Sequence, residues 1–494
     1  LKKKLTIFSI LTLLSGPAVA GETEKFAAMI KAREWHAAGE WMFDKSYEIS
    51  PGQFNLSDVI TAGYFRMALD YTEQQSDRGK VHRLLLIARD TVGLPHSKRI
   101  KLLARAEQLA LNLQDRRTLS TIIAAYQMLD TEANAKQKFM TFLADPDVNS
   151  TDLRHLADSF QTLDKRISYG AWVADALSLR LATAEAEFDT VHAYRTVSLL
   201  YRRNGDPLKA KAALMRGLEL VESIQDAYYK ESAGNSLAKT ALAYGHVKLA
   251  YQYADSRVLH SAYAAYAART GRTQEAIDIT ATLGANLYVN LRIDTTRKII
   301  DEALTRGDVA TAQTFLKLLP EYMHDVAAIY WLRLADIEKT RHRVPAAEAA
   351  IDKALAPYLQ GPPDASRTYN YPRLFVTATR LLANGELDKA RQLSERFDFF
   401  INTLDSDRPR DFIEPYSLAA TLCAHLGDFE CSTRHIMAAH GALQDNNADM
   451  PADPSVDSKR STAKHYSVLG KALGAMAIAQ AGGAQAQIEL DIEQ

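Results

Sequence analysis

Along most of the chain, apolar residues recur every three or four positions, as in "RIKLLARAEQLALNL" (99–113) and "AIYWLRLADIE" (328–338). That spacing gathers the apolar side chains on one face of an α-helix. Alternation of period two, the mark of a half-buried strand, is scarce. The runs are rich in Ala, Leu, Glu, Lys, Gln and Arg, all good helix formers. No proline stands between Pro207 and Pro320, so nothing in that span removes a helical hydrogen bond by ring closure. The pattern predicts an all-α chain.

How the helices are punctuated predicts the architecture. In "LLYRRNGDPLKAKAALMRGLEL" (199–220) one helical rhythm is broken by Gly-Asp and another follows. Tyr201, Gly205, Ala210, Leu214 and Gly217 set an order that recurs. Leu237, Ala238, Ala241, Gly245, Ala250 and Ala254 repeat it; so do Ala264, Ala267, Gly271 and Ala276, then Ala303, Gly307, Ala312 and Leu316. His342 stands where glycine would in a fifth copy with Ala335, Ala347, Ile351 and Ala354. Ala378, Gly385 and Ala390 form a sixth, and Ala420, Gly427, Ile436 and Ala439 a seventh. The glycine supplies the left-handed conformation that ends the first helix. The small residue seven positions before it and the residue five after it face each other, so two antiparallel helices can approach closely. One such hairpin cannot bury its own apolar face and must stack on its neighbours.

In order and spacing these residues resemble the tetratricopeptide repeat family over about residues 190–440, best at 191–221. The family's first-helix Trp is absent, and its closing Pro is mostly missing. The resemblance implies an α-solenoid of stacked antiparallel helical hairpins, a tetratricopeptide-like superhelix. It also implies a protein or peptide partner held in a concave groove lined by first helices, where some members grip a terminal carboxylate. The matching positions here are Arg195, Arg202, Asn235 and Lys239, with Arg297 further along. The competing reading is a solvated surface.

Four segments are expected: a leader over 1–20, an N-terminal helical extension of the solenoid over 21–190, the repeats over 191–440, and an acidic loop with a capping helix over 441–494. The leader rests on Lys2, Lys3 and Lys4, an apolar run from Leu5 to Leu14, and the small-x-small Ala18-Val19-Ala20. This is the pattern of an export signal cleaved after Ala20, and places the protein in the periplasm or outside the cell. About ten apolar residues fall short of the roughly 20 needed to span a bilayer, and no later segment is apolar for long enough. Loops are expected at 356–373, 402–416 and 443–461, with a loose tail from Ala484.

Composition narrows the chemistry. With 47% hydrophobic and 24% charged residues, the chain can build a core and is not broadly disordered. There are 59 basic and 60 acidic residues, and removing the three leader lysines leaves 56 basic, so nothing favours nucleic acid as a partner. The common signatures of phosphate loops, dinucleotide sites, zincins and hydrolase elbows are missing, and catalytic dyads cannot be inferred. The chain reads as a non-enzyme without cofactors. Asp145, Asp147 and Asn149 begin like a calcium loop, but Ser150 and Leu156 replace its Gly and Glu, which favours a helix start capped by Ser150 or Thr151. The acidic run Asp445, Asp449, Asp453 and Asp457 reads as a solvated loop. Only Cys423 and Cys431 are present, too few for a zinc site without help from His or carboxylate, and none stands at a familiar spacing. They flank Gly427 at equal distance, which allows a disulfide across one hairpin or two small core residues.

These readings predict an exported adaptor or assembly module. The alternatives are a non-catalytic scaffold of a cell-wall glycan-processing system and a structural part of an envelope complex.

Overall fold

The computed structural model describes residues 17–51, 54–162, 172–185, 187–283, 289–359, 371–402, 404, 406, 408–448 and 455–483. The leader's basic and apolar stretches, positions 360–370 and 449–454, and the tail from Ala484 lie outside the described residues. So do Asp449 and Asp453.

The described residues are helical, with no strand among them. The chain begins with α1 (Pro17–Ala32), α2 (Trp35–Ile49), α3 (Leu56–Thr61) and α4 (Phe65–Glu73). It continues with α5 (Asp77–Asp90), α6 (His96–Asn112), α7 (Arg116–Leu129), α8 (Glu132–Ala144), α9 (Ser150–Thr162) and α10 (Trp172–Leu181). Next come α11 (Phe188–Arg203), α12 (Pro207–Val221), α13 (Ala227–Ala243), α14 (Val247–Tyr253), α15 (Ser256–Arg269), α16 (Thr273–Thr282), α17 (Val289–Arg306) and α18 (Val309–Leu316). The last are α19 (His324–Thr340), α20 (Val344–Leu359), α21 (Tyr371–Ala383), α22 (Leu387–Asn402), α23 (Arg410–His425), α24 (Phe429–Ala448) and α25 (Val456–Ala481).

One turn design joins the hairpins. Gly205, Gly245, Gly271, Gly307, Gly385 and Gly427 all have φ between 71° and 89°. The residue after each glycine donates its N–H five residues back: Asp206 to Tyr201 O at 2.9 Å, Asp308 to Ala303 O at 2.8 Å, Asp428 to Cys423 O at 2.9 Å. This satisfies a carbonyl that the helix end leaves open. The aspartate then caps the next helix, as when Asp206 accepts from Lys209 N at 2.9 Å and Asp308 from Thr311 N at 3.1 Å. Gly-Asp is therefore a stop and a start in two residues. His342 occupies the same turn at φ 57°, with Arg343 N bonded to Glu338 O. Gln114 (φ 54°) and Arg33 (φ 59°) do so as well, with Asp115 N bonded to Ala110 O and Glu34 N to Met29 O. The same hairpin turn therefore recurs in the N-terminal region, with non-glycine residues at the left-handed position.

The facing small positions meet. Ser198 donates to Ala210 O at 2.7 Å, and in the seventh copy Ser432 donates to Ala420 O at 2.6 Å. Ala238 with Ala250, Ala264 with Ala276, and Ala378 with Ala390 are fully buried at equivalent places. The chain is a tetratricopeptide-like α-solenoid built of such hairpins.

It divides into two compact units. One comprises Ser76–Arg89 and His96–Met323; the other comprises Leu1–Gln75, Asp90–Pro95 and His324–Gln494. No compact-unit boundary falls at the expected 190/191 step. In the first unit α7, α9, α11, α13, α15 and α17 lie side by side, and α12, α14, α16 and α18 pair with their own first helices. Polar rungs join neighbours: Thr121 with Ser159 (3.4 Å), Thr196 to Asp158 (2.9 Å) and Thr295 to Ser261 (2.8 Å).

In the second unit α19, α21 and α23 repeat the arrangement, with Arg373 on Asp325 at 2.7 Å and Arg380 on Asp336 at 3.0 Å. The terminal regions depart from expectation. Helix α25 packs against α23 on one side and lies along α2 on the other, so it is an interior helix and no cap. Residues 17–73 accordingly pack with the C-terminal helices and do not simply extend the repeats from the 190 end. Phe26, Trp35, Met42, Ile413, Ile436, Leu469 and Met476 share one core. Ser46 donates to Ala463 O at 2.8 Å, and Asp58 receives Ser467 (2.9 Å) and Lys471 (3.0 Å). Two expected loops are shorter than predicted: α23 already begins at Arg410, and α24 runs on to Ala448, taking in Asp445. Residues 150–162 form a helix as expected, but Asn149 caps it, accepting from Asp152 N at 3.0 Å.

Candidate functional site

The cations expected in the groove divide between two environments. Arg195 is half-buried on α11, where Nε donates to Thr240 Oγ1 of α13 at 3.2 Å. One turn on, Ser198 Oγ lies 3.1 Å from the Tyr244 hydroxyl, and the Arg202 guanidinium covers the Tyr244 ring at 4.6 Å. Burial, ahead of any charge, raises the Tyr244 phenol, while Ser198 and the Arg202 charge oppose it. Arg269 of α15 continues the row by donating to Ala243 O. Burial depresses its guanidinium; Glu302 opposes that, and the nearby charges of Arg202 and Arg306 add to it. At the other end, His192 is held below the usual imidazole range by burial and then by Arg195 and Arg154. Arg154 pairs with Asp189, and Asp158 faces Thr196.

A cation-rich strip thus crosses the exposed edges of α9, α11, α13 and α15. Its arginines are fixed in place by rungs between helices, which lowers the entropy lost on gripping an anion. Asn235, half-buried, and Lys239, exposed, stand on α13 with no contact tying them to the strip. Arg297 is exposed on α17 and faces Asp294 of its own helix at 3.8 Å. Of the five expected residues, the structure therefore gathers Arg195 and Arg202. Sequence reasoning missed Tyr244 and Arg269. They stand one and two residues before the turn glycines Gly245 and Gly271, whereas Arg202 stands three before Gly205, so no common position in the repeat marked them.

A second cluster lies in the other unit. Cys423 on α23 and Cys431 on α24 are joined in a disulfide, Cα atoms 5.8 Å apart. His435 stands one turn after Cys431 and is 4% exposed. Its Nε2 lies 2.8 Å from Asp398 Oδ1 of α22. That hydrogen bond, with Arg434 at 3.2 Å, holds the Asp398 carboxyl below its ordinary range. A cavity of about 420 Å³ opens beside the sulfurs, lined by Ser394, Asp398, Asp428 and Arg434 among others. Sequence reasoning found no His or carboxylate at a familiar ligand spacing from the cysteines, and so missed both His435, four residues after Cys431, and Asp398, on another hairpin.

No family model matches the chain, and no curated protein matches it. Among solved structures it is similar to Ton1535 from Thermococcus onnurineus NA1, at 14% identity and a TM-score of 0.28, covering 75% of this chain and 99% of that one. It is similar to human IFIT1, solved as a dimer with PPP-AAAA, at 14% identity and a TM-score of 0.26, covering 78% and 94%. It is similar to a chain of the APC/C hetero-tetramer Cut9-Hcn1 at 11% identity and a TM-score of 0.18, covering 90% and 89%.

Proposed function

We propose that this chain is an exported helical-repeat adaptor of the bacterial envelope that holds an acidic peptide segment or a chain terminus of a partner protein. The observation that carries the reading is the strip of Arg195, Arg202 and Arg269 bound into the faces of successive first helices around Tyr244. An arginine fork suits a carboxylate because two parallel N–H donors match its two oxygens. The wall beside it is polar and aromatic, with Ser198 bonded to the Tyr244 hydroxyl, which suits a peptide segment. Export rests on the leader pattern alone. The glycan-processing scaffold and the structural component remain weaker readings, because no observation favours either.

The test is fluorescence anisotropy with a labelled Asp/Glu-rich peptide ending in a free carboxylate. The double variant Arg195→Ala, Arg202→Ala should keep its helical circular dichroism, since it loses one hydrogen bond and one cation–ring contact between helices, worth about 1 kcal/mol each. It should bind about tenfold or more weakly, in line with loss of charge-assisted contacts worth about 1.5–3 kcal/mol each. Wild-type affinity should fall with salt. Equal affinity of variant and wild type at low salt would overturn the assignment and move attention to residues 408–416.

A further inference from the structure

We infer that Cys423, Cys431 and His435 form a zinc-type metal site whenever the Cys423–Cys431 bond is reduced. The ligand atoms of all three residues already lie within 4.8 Å of one another. Two thiolates on a tetrahedral zinc stand roughly 3.7 Å apart, from Zn–S bonds of about 2.3 Å. A hairpin with Cα atoms 5.8 Å apart can offer that separation without unpacking.

A second observation points to a ligand. His435 is 4% exposed, and its Nδ1 is buried with no hydrogen-bond partner. An unpaired buried ring nitrogen is costly in a packed protein, and a metal would satisfy it. The other nitrogen, Nε2, is engaged by Asp398. A carboxylate behind a histidine fixes its tautomer and raises its basicity, the usual support of a metal-bound imidazole. The sulfurs have donors too: Ser394 Oγ lies 3.6 Å from Cys423 Sγ, and Arg434 Nη2 lies 3.7 Å from Cys431 Sγ. Those groups would stabilise thiolate charge. The adjoining cavity gives an ion an entry path and leaves the fourth coordination position open to solvent.

The chemistry balances. A dithiol reductant delivers two electrons and two protons; the Sγ–Sγ bond breaks, two thiols form, and the reductant becomes a disulfide. Divalent zinc then displaces the two thiol protons and takes both sulfurs and Nδ1. Disulfide and metal are therefore exclusive states of one site. The inference is independent of the arginine strip, which lies in the other compact unit.

The experiment titrates cobalt(II), then zinc against a chromophoric chelator, into the full chain. Protein reduced with a phosphine is compared with oxidised protein. Reduced wild type should bind one metal per chain and show a sulfur-to-cobalt charge-transfer band; oxidised protein should show neither. Cys423→Ser should remove the band. His435→Gln should weaken zinc by at least about tenfold, and Asp398→Asn by about 10–100-fold, as outer partners of metal histidines do. Circular dichroism of the reduced wild type checks folding without any variant. Zinc bound no more tightly by folded, reduced wild type than by Cys423→Ser would overturn the site. Unchanged affinity in His435→Gln would overturn the role of the histidine.

Discussion

At the scale of single residues, the turn position decides how much of the repeat is readable. Gly205, with nothing within 4 Å of where a Cβ would stand, is glycine for its φ of +80° alone. An L-residue there costs about 1–2 kcal/mol in the folded state, and glycine loses roughly 0.5–1 kcal/mol more entropy on folding. Gly205→Ala should therefore destabilise by roughly 0.5–1 kcal/mol, and His342→Gly should stabilise by about as much. Urea unfolding would check the pair; two neutral results would refute the turn account. The sequence revealed seven copies and concealed the turns at Arg33 and Gln114. The copy at His342 was still found because Ala335 and Ala347 hold its small positions; around Gln114 those positions hold Glu107 and Leu119, and Phe26 stands seven before Arg33. His440 supplies a second residue-scale prediction. It stacks on Phe26 at 4.0 Å, and burial lowers its pKa to about 4. The neutral form is the one that fits, so its contribution is complete above the unfolded value near 6.5 and is lost as pH falls toward 4. A shift of that size corresponds to roughly 3 kcal/mol across the window. His440→Gln should flatten the stability profile between those values, measured as melting temperature against pH.

At the scale of elements, the C-terminal helix was legible as a helix but not as an interior one. Its sequence, with Gly470, Ala472, Gly474, Ala475 and Ala477, reads as a weak amphipath because small residues serve close approach on more than one side. At Gly474 a Cβ would stand 2.5 Å from Ala62 O, a backbone atom that cannot swing away. At Gly470 it would meet only the Phe43 ring, at 2.9–3.1 Å. Gly474→Ala should cost about 2–3 kcal/mol and Gly470→Ala less, because overpacking is relieved by side-chain movement where backbone is not involved. Equal, small losses in guanidinium melts would mean that α25 does not pack this tightly on Ala62. The pairing of α25 with α2 could not be read beforehand, because nothing local links residues more than 400 positions apart. Helix content and hairpin turns are local and were readable; the partner of a helix is not.

At the scale of the whole molecule, the fold class came through because one hairpin, repeated, is visible as a period. The division into two compact units did not, because turns of the same design occur in both. The proposed strip was half legible: counting from Gly205 gave Arg195 and Arg202, while counting from Gly245 gave Asn235 and Lys239, which stand apart from it, and not Tyr244. The strip is made by contacts between consecutive first helices, and the unequal spacing of the turn glycines, 40 residues from Gly205 to Gly245 and 26 from Gly245 to Gly271, blurred which positions align. The central claim is that this strip on α11, α13 and α15 is where a partner is held. Hydrogen–deuterium exchange of the full chain, with and without the acidic peptide at saturating concentration, tests it most directly. Protection confined to residues 188–206, 227–246 and 256–271 is the predicted result. Protection that spares those helices and falls instead on residues 371–416 would contradict it.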